Sequence, residues 1–212
     1  MAQPSIVLTG FNAFGGFAQN ASQRVVELIS SMGEYDGRLI TKVLPTEFRA
    51  AELRIHALLL RHRPGVCICT GLNAAADAVT LETRAVNRDA AEIADNAGER
   101  RQGTPIDPDG PPFYESTLPI DRIKRLLEDH QIPVRLSDSA GTFVCNHVFY
   151  AAAQGAAIWS PRTRVGFIHL PQAADFTPRN DGIALSDLTK ALELYIQACE
   201  AEVVRLSTGN DL

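Results

Sequence analysis

Three short apolar, β-branched runs separated by two segments of helical period fill the first seventy residues, and this alternation largely decides the architecture. Ser5 to Thr9 reads as a strand, and Ser22 to Met32 as a helix with Val25, Val26, Ile29 and Met32 inward. Asn20 or Ser22 is suited to cap it. Arg38 to Leu44 is a second strand, Thr46 to Arg63 a second helix, and Gly65 to Thr70 a third strand bounded by Pro64 and Gly71. Strands alternating with helices favour an α/β fold with a largely parallel sheet covered on both faces, an α/β/α sandwich. Ligands in such folds bind beyond the carboxyl ends of the strands.

Farther on, Asp121 to His130 is helical, Val134 to Ser137 extended, Asn146 to Ile158 helical and Val165 to His169 a strand. A last helix begins near Ser186 and places Leu188, Leu192, Tyr195, Cys199 and Val203 on one apolar face, which should lie on the sheet. Asn96 to Ser116 holds four prolines and three glycines and reads as a long surface loop, not a linker. With 212 residues, 45% of them hydrophobic, the chain suits a single domain over residues 1–212.

The net charge of −5 is spread along the chain with no long basic run, so nothing calls for nucleic acid. The opening Met1-Ala-Gln-Pro-Ser5 lacks the pattern of an export signal, and no window has the apolar length of a membrane span. The expectation is a soluble, cytoplasmic protein. Four cysteines at 67, 69, 145 and 199 are too few and too unevenly spaced for a disulfide framework, which implies free thiols.

The stretch from Leu136 to Tyr150 runs from a strand through a small-residue turn into a helix that starts at Cys145. Unpaired N–H groups and the positive end of the dipole at a helix start favour a thiolate and can hold an oxyanion. The competing reading is a core cysteine under the turn. Cys67 and Cys69 fall on one face of a buried strand without a second pair at zinc spacing, and Cys199 lies on an apolar helix stripe, so Cys145 is the candidate nucleophile.

A nucleophilic cysteine needs a base, and the base needs a group that orients it. His169 closes the run Val165-Gly-Phe-Ile-His169 and precedes Leu170-Pro171, which places it at the end of a strand. His56, His62 and His130 lie on charged helices and read as solvated. His147 competes for the role, but two residues along a helix from Cys145 it faces away. Glu82, in the extended segment Val79 to Asn87 after the third strand, is placed to be the orienting acid.

After the first strand comes Thr9-Gly-Phe-Asn-Ala-Phe-Gly-Gly-Phe17, where Gly10, Gly15 and Gly16 permit a tight loop. The lysine and hydroxyl of a phosphate loop are missing, and the dinucleotide glycine pattern fails. The phenylalanines either line an apolar pocket for a small uncharged group or plug the edge of the core.

Together these motifs resemble the pyroglutamyl peptidase I family (pyrrolidone carboxyl peptidases) from about Ile6 to about Gln172. The segment Thr9 to Ser22 looks like the family's glycine- and phenylalanine-rich opening loop, and Ser137-Asp-Ser-Ala-Gly-Thr-Phe-Val-Cys-Asn146 matches its cysteine motif. Gly71 to Asn87 is similar to its glutamate motif, and Gly166-Phe-Ile-His-Leu-Pro171 to its histidine segment. The resemblance implies Cys145 as nucleophile, His169 as base and then acid, and Glu82 as the orienting carboxylate. It also implies that Phe11, Phe14, Phe17 and Phe143, with Val144 beside the nucleophile, bind the lactam. An α/β/α fold, a cytoplasmic setting, no metal or other cofactor, N-terminal pyroglutamyl peptides as substrates and a homo-oligomer, often a tetramer, follow from it as expectations.

The chain departs from the family pattern at two places. Thr83 follows the motif glutamate where a basic residue is usual, with Arg84 one step later, and Glu92 stands where the family commonly has arginine. The alternatives are therefore a cysteine hydrolase of the same fold acting on another small cyclic amide, or a catalytically weakened binding protein on this scaffold.

Overall fold

The alternation of the first seventy residues is present in the computed structural model, which describes residues 4–35, 37–179 and 181–208. Met1 to Gln3 of the opening segment lie outside the described residues. In chain order the strands are β1 (Ile6–Phe11), β2 (Leu39–Leu44), β3 (Val66–Leu72), β4 (Val79–Glu82), β5 (Arg84–Val86), β6 (Asp89–Ala90), β7 (Gln102–Thr104), β8 (Phe113–Glu115), β9 (Val134–Ser137) and β10 (Arg164–Leu170). The helices are α1 (Ala21–Ser31), α2 (Phe48–His62), α3 (Ile120–Asp129), α4 (Val144–Trp159) and α5 (Leu185–Thr208).

The main sheet has the order β2-β1-β3-β10-β4-β9. The first four of these strands are mutually parallel, while β4 runs antiparallel to β10 and parallel to β9. Residues 73–78, between β3 and β4, are too few for the crossover that a parallel return requires, so the chain comes back in the opposite direction.

Alternate residues of the central strands feed two cores. Ile6, Leu8, Val66 and Ile68 join one cluster with side chains from α1, α3 and α5, and Val7, Cys67, Cys69 and Phe167 join the other with α2 and α4. Cys67 and Cys69 thus share one buried face, and Cys199 is buried on the other side. All four cysteines are free.

Local chemistry sets the element ends. Asn20 caps α1, its Oδ1 accepting the N–H of Ser22 at 3.0 Å. Met32, expected to face inward, is the C-cap residue and 40% exposed, because the helix stops before its stripe reaches that position. In α5, Leu188, Leu192, Tyr195 and Cys199 are buried and Val203 packs partly against them, as the periodicity indicates.

Two further expectations need correction. Residues 96–116 contain β7, which pairs with β6, and β8, which pairs with β5. That segment is also fastened to the body: Asn87 exchanges hydrogen bonds with the Asp107 backbone, and the Tyr150 hydroxyl donates to Pro111 O at 2.9 Å. His56 is not solvated. Its Nε2 lies 3.1 Å from Ala151 O and its ring packs edge-on against Trp159, and burial pushes its pKa down.

Candidate active site

The carboxyl ends of β3 and β10, with the neighbouring end of β4, build the site. Gly71 of β3 stands opposite His169 of β10, and His169 stands opposite Thr80 of β4. A Cβ on Gly71 would come 2.7 Å from Cys145 Sγ, 2.9 Å from Phe167 Cζ and 3.2 Å from His169 Cδ2. The thiol therefore rests on the sheet where a side chain is missing, beside the imidazole.

Glu82 lies diagonally across the β4–β10 ladder from His169, and its Oε1 is 2.7 Å from His169 Nδ1. With Nδ1–H donating to the carboxylate, Nε2 is the nitrogen free to serve the thiol, and Cys145 Sγ and this ring both lie against Gly71. Burial works against the imidazolium, but hydrogen bonds and charge from Cys145 and Glu82 outweigh it and raise the His169 pKa to about 9. Glu82 is itself buried, and its Oε2 has no hydrogen-bond partner among the described residues.

Cys145 is the second residue of α4, whose N-cap, Phe143, supplies no side-chain cap. The first-turn N–H groups thus remain open to an anion formed beside the thiol. Asn146 anchors this helix start: its Oδ1 accepts Val86 N–H at 2.8 Å and its Nδ2 donates to Val86 O and Arg88 O. Thr142 adds a backbone bond from Ala90 N–H to its own oxygen at 2.9 Å. These contacts fix the turn that carries Cys145 to the segment that follows Glu82.

A cavity of about 630 Å³ opens over Cys145, His169 and Glu82. Phe14, Phe17 and Phe143 line it, with Phe14 and Phe143 ring centroids 5.7 Å apart. Phe11 and Val144 do not. Phe11 is the last residue of β1 and is buried in the core, and the Val144 side chain is buried in the same cluster. The opening loop therefore does both things its sequence allowed: Phe11 plugs the core, and Phe14 and Phe17 face the cavity.

His147 points away from the thiol. Its Nδ1 lies 2.8 Å from Asp89 Oδ2 and its Nε2 3.5 Å from Glu52 Oε2. Burial opposes its charge, yet the hydrogen bond to Asp89 and the nearby negative charge of Asp89 and Glu52 raise its pKa. Neither departure from the family pattern lines the cavity: Arg84 stacks over Phe113, and Glu92 is exposed in the loop after β6. Thr83 bonds to Ser137 O at 3.0 Å.

The roles of Gly71, Asn146 and the polar side of the cavity, formed by Thr80, Arg135, Ser137 and Ser139, are not apparent from the sequence. A glycine at the carboxyl end of a buried strand was the available signal for the first. Among the described residues, no group of three or more His, Cys, Asp or Glu side chains is placed to hold a metal ion, and no helix is long and apolar enough to cross a membrane.

Comparison with known proteins gives consistent results. The family model described as "Pyroglutamyl peptidase" matches residues 4–204. A pyrrolidone-carboxylate peptidase of Bacillus mycoides is 35% identical over 211 residues, covering 97% of either chain. Pyrrolidone-carboxylate peptidase 1 of Streptococcus pneumoniae is 36% identical over 197 residues, covering 91% of either chain. Among solved structures, pyroglutamyl peptidase I of Bacillus amyloliquefaciens superposes with a TM-score of 0.88 at 32% identity, over 94% of this chain and 98% of that one. A mutant pyrrolidone carboxyl peptidase from the hyperthermophile Pyrococcus furiosus gives a TM-score of 0.89 at 29% identity, over 93% and 99%.

Proposed function

The chain belongs to the pyroglutamyl peptidase family, and on that premise we propose that it removes N-terminal pyroglutamyl groups from peptides with Cys145 as nucleophile, His169 as acid–base and Glu82 as the orienting carboxylate. The observation that carries this assignment is the Cys145 thiol lying over Gly71 beside His169, whose other nitrogen is held 2.7 Å from Glu82.

The chemistry follows from that arrangement. His169 takes the thiol proton, and Cys145 sulfur attacks the carbonyl carbon between the lactam ring and the next residue. The carbonyl oxygen becomes an oxyanion facing the open N–H groups at the start of α4. His169 then gives its proton to the departing amine, the C–N bond breaks, and a thioester remains. Water, deprotonated by His169, attacks the thioester and releases pyroglutamate and the thiol. Glu82 holds the imidazole orientation throughout and balances its charge.

Selectivity has a physical basis in the cavity wall. The lactam is small, flat and uncharged, and it suits a surface made by Phe14, Phe17 and Phe143. An open glutamate would bring an unpaired charge against those rings. Side-by-side turnover of pyroglutamyl, prolyl and alanyl amides tests this, with only the first cleaved efficiently; equal rates on all three would remove the substrate assignment.

On the same reading we propose a homo-oligomer in the reducing cytoplasm, a tetramer as is common in the family. Leu53 and Leu60 on α2 and Ile158 on α4 are exposed apolar side chains that a subunit contact would cover, and the solution mass of the purified protein checks the assembly.

A further inference from the structure

This inference rests on the hydrolase reading and concerns the part of the substrate that leaves. Across the sheet, Gly71, His169, Thr80 and Arg135 stand opposite one another in register on β3, β10, β4 and β9. Paired positions in a sheet share a face, so Arg135 lies on the catalytic side, two strand spacings beyond His169 and on the order of 10 Å from it along the backbone. Its side chain lines the cavity, as do Ser137 and Ser139.

The two sides of the thiol differ in chemistry. Phe14 and Phe17 belong to the loop after β1, and the sheet order β1-β3-β10-β4-β9 puts that loop and Arg135 on opposite sides of Cys145. With the lactam on the phenylalanine side, the scissile nitrogen must face His169, which protonates it. The released residue then extends over Thr80 towards Arg135.

We propose that Arg135 is a specificity-determining residue that receives a carboxylate on the released part of the substrate. The preferred substrates are pyroglutamyl compounds whose next residue carries a carboxylate near the scissile bond, either a free α-carboxylate or an acidic side chain. Arg135 now pairs with Asp77, through its Nη2, and both side chains are largely exposed. Exposed pairs of this kind hold weakly, and a guanidinium has further N–H groups that can donate to a second carboxylate.

The test compares kcat/KM for pyroglutamyl-alanine, pyroglutamyl-alanine amide and pyroglutamyl-aspartic acid α-amide in the wild type, Arg135→Gln and Asp77→Asn. At low salt the wild type should favour a carboxylate-bearing substrate over the neutral amide by about fivefold, mainly through KM, and the ratio should shrink as salt is raised. The first and third compounds separate an α-carboxylate from a side-chain one. Arg135→Gln should bring the ratio towards one. Asp77→Asn, which removes the competing carboxylate, should increase it, and this variant keeps the inference testable if Arg135→Gln is unstable. A wild-type ratio near one, a ratio unchanged in Arg135→Gln, or one lowered by Asp77→Asn overturns the inference while cleavage of the neutral amide keeps the hydrolase reading. No cleavage of any of the three by reduced, folded protein overturns both.

Discussion

Cys145 Sγ lies 2.7 Å from the point where a Cβ on Gly71 would stand. The thiol and the sheet are therefore in contact through an absent side chain. Gly71→Ala must push the thiol, Phe167 or His169 aside, and a misplacement of about 1 Å at a reacting atom costs on the order of a hundredfold in rate. The expected outcome is a folded protein with kcat reduced by about that factor; unchanged kcat would show that the thiol is not held against the strand.

Glu82 and His169 make the activity depend on pH in a definite direction. In the proposed mechanism the imidazolium that protonates the leaving amine is lost as pH rises through the raised His169 value of about 9, so the pH–rate profile should show an alkaline limb there. Glu82→Gln removes one of the charges that hold the proton, so the limb should move to lower pH and turnover should fall by roughly a hundredfold. A limb that stays in place in this variant would separate Glu82 from the base.

The same pair links stability to pH. The folded pKa of His169 is raised from an ordinary 6.5 to about 9, so its contribution is fully present below about pH 6.5 and is lost as pH rises through about 9. The loss is on the order of 3 kcal/mol. His147 changes in the same direction but is common to wild type and Glu82→Gln, so the difference between their unfolding free energies isolates the His169 pair. That difference should shrink between pH 6.5 and 9.

Phe11 and Phe14 lie close together in sequence and should respond differently to truncation. Phe11 is buried in the core, so Phe11→Ala should lower stability by about 3–5 kcal/mol. Phe14 lines the cavity, so Phe14→Ala should raise KM for a pyroglutamyl substrate with a much smaller stability change. Thermal melts beside steady-state kinetics distinguish the two, and matching profiles would contradict the division of the loop between core and cavity.

The contrast also shows where sequence reading stops. Phe11 and Phe14 both follow an apolar run, but β1 continues to Phe11, two residues past the expected end, and strand alternation then directs Phe11 into the core. Val25, Val26 and Ile29 were legible because helical spacing records which face is buried. The direction of β4 leaves no mark on its own side chains; it follows from the short connection after β3. Cys145 and His169 could be picked out because each stands at the end of an element with local sequence of its own. Arg135 could not, because its place opposite Thr80 is a matter of register between strands far apart in the chain.

The most direct test of the central claim is hydrolysis of a fluorogenic pyroglutamyl amide by the reduced protein, with and without iodoacetamide, beside Cys145→Ser and His169→Ala. Activity in the wild type that is lost on alkylation and nearly abolished in both variants is the predicted result, since a serine hydroxyl in the same place is far harder to ionise than a thiol. Comparable turnover in either variant, or wild-type activity that survives complete alkylation of Cys145, would contradict the assignment of nucleophile and base.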